Sequence, residues 1–88
     1  MNELVLSVLK SKNKQEVLLI IAQKKQIMQS QIIKNTKLYA SHLSRTLKYL
    51  RDNKLIICEN PTDLNYKVYK ITPLGNKINK EIERILPK

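Results

Sequence analysis

The chain has 88 residues, room for one small domain, and Leu, Ile and Val supply 28 of them, more than a chain without a packed core carries. Seventeen Lys and Arg against seven Asp and Glu leave a formal charge of +10, which points to a polyanionic partner, nucleic acid first and an anionic membrane surface second. A single cysteine excludes an internal disulfide framework and a cysteine-based zinc finger, and no apolar run is long enough to span a bilayer.

The first expected helix runs from about Asn2, a candidate N-cap, to Lys10, with Leu4, Val5, Val8 and Leu9 on one face. This stretch lacks the basic flank and cleavage site of a signal peptide, so a cytoplasmic location is expected. After Ser11–Lys14, Asn13 and Glu16 have the spacing of a capping box. The helix they open, about 14–25, contains the apolar run Val17 to Ala22 and should therefore be covered on most sides. Gln26 to Gln29 reads as a short strand or a turn. Ser30 is the next N-cap candidate, opening a short helix that stops near Asn35 or Thr36.

Residues 39–53 form the clearest amphipathic helix, with Ala40, Leu43, Leu47 and Leu50 on one stripe and Ser41, His42, Arg45, Lys48, Tyr49 and Asp52 opposite. The period then changes. Leu55 to Cys58 and Tyr66 to Ile71 read as strands around a turn at Asn60–Asp63, a hairpin with a loop of four to six residues. Thr72-Pro73 is a strong helix start, and the last helix sets Leu74, Ile78, Ile82 and Ile85 on a narrow seam before Pro87 ends it.

The expected fold is therefore mainly α with a small β-hairpin: a winged helix-turn-helix spanning residues 1–88. It comprises an N-terminal helix within 1–12, a helix-turn-helix over 30–53, a wing hairpin over 55–71 and a C-terminal helix over 72–86. The charge is unevenly spread over it. Residues 24–54 hold eight cations (Lys24, Lys25, Lys34, Lys37, Arg45, Lys48, Arg51, Lys54) against Asp52, a net of +7, whereas residues 55–71 are neutral. A solubilising surface would spread the excess; an electrostatic footprint concentrates it.

The stretch from Ser30 to Ile78 resembles the winged-helix transcriptional regulators of the MarR, ArsR and PadR type, especially small archaeal members. The matching text is Leu38, Ser41-His42-Leu43-Ser44-Arg45-Thr46-Leu47-Lys48-Tyr49-Leu50, Leu55-Ile56, and Tyr69-Lys70-Ile71-Thr72-Pro73-Leu74-Gly75. The resemblance implies that residues 39–53 are a recognition helix, 60–67 a wing tip, and the terminal helices a dimer interface. Where the family has glycine, in the turn and after the recognition helix, this chain has Lys37 and Lys54. A positive φ is unfavourable there, and the neighbouring Asn35 and Asn53 tolerate it better.

On this reading Lys34, Lys37 and Lys48 contact phosphates, and the helix start at Ser30 favours another. The amino-terminal half of the recognition helix offers Tyr39, Ser41, His42, Ser44 and Arg45 to the major groove. Arg45 has two roles open to it, a bidentate hold on guanine or a phosphate clamp. Asn65 and Lys67 belong to the wing, where Asp63 argues for positioning over reading. Leu4, Val5, Val8, Leu74, Ile78, Ile82 and Ile85 are the candidate dimer surface, since two apolar elements in so short a chain need covering.

Each of these has a plainer reading. A single lysine on a helix is more often solvated surface; Tyr49 fits partial burial against the wing as well as an outward role, and Tyr66 and Tyr69 fit sheet packing. His42 has no ligand-spaced companions for a metal, and Cys58 fits a small buried hydrophobe. With one glycine there is no phosphate loop, and no nucleophile–base pair or paired carboxylates stand at useful spacing, so neither an enzyme nor a cofactor is expected. The partners expected are duplex DNA and a second copy of the chain, with no membrane, and the residues name no effector molecule. The leading function is a sequence-specific, homodimeric transcription regulator, a repressor before an activator because no second domain is read. A non-specific architectural DNA-binding protein and a winged-helix protein-docking module are the alternatives.

Overall fold

A computed structural model describes residues 2–86; the side chain of Asn2 and the stop expected at Pro87 lie outside the described residues. The described residues form five helices and three strands: α1 (Asn2–Leu9), α2 (Lys12–Lys24), β1 (Gln26–Met28), α3 (Gln29–Thr36), α4 (Ala40–Asp52), β2 (Ile56–Cys58), β3 (Val68–Ile71) and α5 (Pro73–Ile85). The mainly helical winged-helix architecture expected from the sequence is the one observed. None of the helices is long and apolar enough to cross a membrane.

The strands make one antiparallel sheet in the order β1-β3-β2. Ile27 lies opposite Tyr69 on one side of β3, and Cys58 lies opposite the same tyrosine on the other. Gln26–Met28, whose alternation fits a strand or a turn, is thus the third strand of the sheet. It enters the sheet because its alternation puts Ile27 inward, 3% exposed, against the central strand. Its backbone continues straight into α3, with Gln29 N–H donating to the Lys67 carbonyl at 2.9 Å. Residues 59–67 make a longer connection than the four to six expected.

The apolar run in α2 places that helix at the centre, with Val17, Leu18 and Ile21 fully buried among residues of α1, α3, α4 and α5. Two expected caps are corrected. Ser11, not Asn13, caps α2, its Oγ accepting from Lys14 N at 3.2 Å, because α1 ends at Leu9 and only two residues separate the helices. Met28, not Ser30, caps α3: the strand delivers an extended residue at that point, and Gln31 Oε1 reaches back to Met28 N at 3.2 Å. Thr72 and Pro73 start α5 as expected, Thr72 Oγ1 accepting from Gly75 N at 2.9 Å.

Three lysines, Lys25, Lys37 and Lys54, have positive φ, at 65°, 59° and 61°. Lys37 and Lys54 themselves take the left-handed conformation, and Asn35 and Asn53 do not relieve them. At Lys54 the chain closes α4 with a paired motif, Lys54 N donating to Arg51 O and Leu55 N to Leu50 O, both at 2.9 Å. A side chain there costs about 1–2 kcal/mol relative to the right-handed region, and a glycine avoids that at a smaller entropic loss. Lys54→Gly is therefore expected to raise the urea midpoint, a gain of about 0.5–1 kcal/mol, and an unchanged or lower midpoint contradicts the strain.

Candidate nucleic-acid interface

Helix α4 buries Leu43, Thr46, Leu47 and Leu50 and exposes Ser41, His42, Ser44, Arg45 and Lys48. Two turns of constant period sort these residues: the leucines that hold the helix down dictate that the hydroxyls and cations face out. Ala40, expected on the buried stripe, is exposed. Tyr39, 78% exposed at the N-cap, meets His42 edge to face with ring centres 5.8 Å apart. Lys48 pairs with Asp52 at 2.9 Å, an exposed i,i+4 pair that water and salt weaken, so its charge remains open to exchange. Ser30, Lys34 and Lys37 are exposed on α3 and its end.

Tyr49 does not pack on the wing. Its hydroxyl donates to Ser7 Oγ at 2.6 Å, and Lys14 Nζ lies 3.6 Å from its ring centre. These contacts fix the back of α4 to the α1–α2 junction, so the outward face is held by the body of the protein.

Between α3, α4 and the wing runs an open groove of about 440 Å³. It brings together Ser30, Ser44, Asn65 and Lys67 from the sequence-derived set, and adds Gln29 and Arg51. Lys34, Lys37, Tyr39, Ser41, His42, Arg45 and Lys48 do not line it. They occupy the exposed surfaces of α3, its C-terminal turn and α4. The start of α3 opens on this groove, so the positive end of the helix dipole faces the same space. Arg51 belongs to the basic block of residues 24–54 and stands seven residues after Ser44, two turns along the same face. Its Nε is fully buried with no hydrogen-bond partner among the described residues. Tyr69 lines the groove nearby, its hydroxyl donating to Gln29 Oε1 at 3.2 Å. Burial, helped by Cys58, pushes that phenol above its ordinary range, and the Arg51 guanidinium only partly offsets the rise.

The wing is tightly tied. Asp63 Oδ1 accepts from the amides of Asn65 and Tyr66, both at 2.8 Å, and Asn60 bridges the loop by donating to Tyr66 O at 2.6 Å and accepting from Val68 N at 2.8 Å. The Tyr66 and Asn65 amides hold the Asp63 carboxyl below its ordinary pKa, with Lys67 adding to the effect. A depressed carboxylate stabilises the fold above its unfolded pKa near 4, and the wing clamp weakens only as acid protonates it. Tyr69 is core, as sheet packing expects, but Tyr66 is exposed.

The candidate dimer surface divides. Val5, Val8, Ile78 and Ile82 are at most 8% exposed within the single chain, so they are core residues and offer no surface to a second copy. The reason is α2, whose central place lets α1 and α5 cover it with those side chains. Leu4 and Leu74 are half-buried, whereas Ile85 is 54% exposed and is joined by Leu6, Leu19 and Leu86, which the seam did not include. Cys58 is half-buried, its Sγ 3.7 Å from Asn60 Oδ1. Among the described residues no three His, Cys, Asp or Glu are grouped to hold a metal ion.

No protein-family model matches the chain, and no curated protein matches its sequence. Among solved structures it is similar to a crystal structure of a MarR mutant from E. coli complexed with operator DNA, at 21% identity and a TM-score of 0.73. The match covers 85% of this chain and 54% of that one, so the chain spans about half the length of its structural neighbour. Element order, sheet topology and this likeness together give the chain a MarR-like winged-helix fold.

Proposed function

We propose that the chain is a duplex-DNA-binding transcription regulator that reads sequence through α4, acts as a homodimer and represses by occupying its site. The observation that carries this reading is the outward face of α4. Hydroxyls, His42 and Arg45 stand exposed on a helix whose leucines are wholly buried, with cations of α3 and Arg51 on either side. A helix of this shape fits the major groove, where Arg45 takes guanine in a two-pronged hold and Ser41 and Ser44 reach base edges or backbone. Lys34 and Lys37 meet phosphates, and the groove between α4 and the wing takes the sugar-phosphate strand that separates a major from a minor groove. The neighbour's operator complex supports duplex DNA as the partner, and a DNA target is in keeping with a cytoplasmic location. Exposed Leu6, Ile85 and Leu86 on the terminal helices support a second copy as the other partner. A two-fold pair of recognition helices requires half-sites about 10 base pairs apart, and a protein seated on both excludes other proteins from that DNA.

Selecting duplexes from a random pool at ~150 mM salt tests the reading. The expected product is a near-palindrome whose affinity falls with salt on a log–log slope of about −0.9 per phosphate neutralised. Arg45→Ala should relax the preference at one base pair, while Lys37→Ala should weaken all duplexes alike and lower the slope by about 1. Binding without a ranking among sequences would instead mark an architectural protein, and no duplex binding at this salt a protein-docking module.

A further inference from the structure

We propose that Leu64 is an apolar wedge that the wing inserts into the minor groove flanking the site read by α4, opening a base step there and bending the duplex. The inference rests on the duplex-binding reading and deepens it at the wing.

Leu64 is 87% exposed at a loop whose backbone is locked by Asp63 and Asn60. A large apolar side chain held rigidly in water gains free energy when a partner covers it, at little ordering cost because its loop is already fixed. Its place selects the cover. Leu64 and Asn65 line the same groove as Ser44 and Arg51, so the tip stands beside the DNA-facing side of α4 and not on the α1–α5 side of the molecule. A phosphate-gripping wing would carry an excess of cations, yet Lys67 and Lys70 are matched in number by Glu59 and Asp63. Asp63 keeps its charge under two amides with Lys67 nearby to offset it, and Glu59 pairs with Lys70 at 3.7 Å. The wing therefore carries no net charge and presents a leucine beside an asparagine amide, on a protein of net charge +10.

That chemistry matches the floor of a minor groove, where sugar C–H groups and base edges are apolar. The acceptors on A·T pairs there suit the Asn65 amide, while the exocyclic amine of guanine obstructs it. Leucine is among the side chains that part a base step and kink the duplex toward the major groove. Pyrimidine–purine steps, which unstack most easily, are the expected place.

The test uses the full chain and a selected duplex carrying 2-aminopurine at the flanking steps and a dye at each end. Wild-type protein is expected to raise the fluorescence at one step on each flank and to bring the ends together. Leu64→Ala should lose both signals, bind about 5- to 20-fold more weakly and no longer prefer A·T flanks, while keeping the wild-type melting temperature because the side chain is exposed. Leu64→Met should retain both signals. A Leu64→Ala protein that still bends and brightens the duplex overturns the wedge while leaving the duplex reading intact. So does one that binds duplex normally but loses self-association in sedimentation, which would make the tip a protein contact. If the wild-type chain binds no duplex at all, both the reading and the wedge fall together.

Discussion

Replacing Arg51 by alanine is expected to cost about 10- to 100-fold in duplex affinity while leaving the stability of the free protein unchanged or slightly raised. The two signs come from one observation: Arg51 Nε is buried beside the groove with no partner among the described residues. In the free protein that N–H has lost water and gained nothing, which costs on the order of 1 kcal/mol, and removing it relieves the cost. Arg51 also lines the groove, where a phosphate can meet the rest of its guanidinium in a charge-assisted bond worth about 1.5–3 kcal/mol, which alanine forfeits. Arg51→Lys should recover only part of the affinity, because an ammonium keeps the charge but not the planar fork of the guanidinium. Filter binding and urea melts on the three proteins decide the matter. A variant that loses stability and affinity in parallel would falsify the assignment and make Arg51 a structural residue.

The largest effect on the fold is expected at Gly75, the one glycine of the chain. A Cβ there would run into the Leu55 carbonyl oxygen and stand 2.8 Å from Ile71 Cγ1. The first obstacle is backbone and cannot swing aside. That carbonyl accepts from both Thr72 N, at 3.1 Å, and Thr72 Oγ1, at 3.0 Å. Pushing α5 away to make room therefore breaks the bonds that start it. Overpacking costs about 1–3 kcal/mol and the two bonds about 1 each, against about 1 gained from alanine's helix propensity. Gly75→Ala should thus destabilise the protein by about 2–4 kcal/mol, a large share of what a domain of this size holds. A melting curve that does not move shows that α5 can slide at no cost.

What the sequence made legible and what it hid follow from the range of the interactions. Helix α4 is plain because Leu43, Leu47 and Leu50 repeat at the period of the helix they form, and Thr72-Pro73 is plain because a cap acts within one turn. The role of β1 is half hidden: its alternation fits a short strand or a turn, and the partner that decides between them, Tyr69, arrives after the whole of α3, α4 and the wing. The same distance hides the cap at Met28, which depends on the strand before it. Lys37 and Lys54 give no local sign of a left-handed backbone, since the penalty is met by the paired carbonyls and packing around them. At the interface, period told which face of α4 is wet but not which wet residues share a groove. Ser44 and Arg51 could have been joined by their seven-residue spacing, yet only the wing's position makes that line a wall. The terminal seam shows the converse limit. Period identified Ile78 and Ile82 as apolar without saying that α2 was what they cover.

The pairing of Ile27 with Tyr69 also sets an order on synthesis. A ribosome releases α4 before it releases the strand that ties the sheet shut, so the nascent chain carries a cationic amphipathic helix that can seat on α1 and α2 but has no wing beside it. Closing so long a loop is paid for only when its last residues arrive, which makes acquisition of the native arrangement late and concerted. A chain interrupted before Tyr69 would keep every group that faces outward on α4 and lack the paired central strand that sets the wing against them.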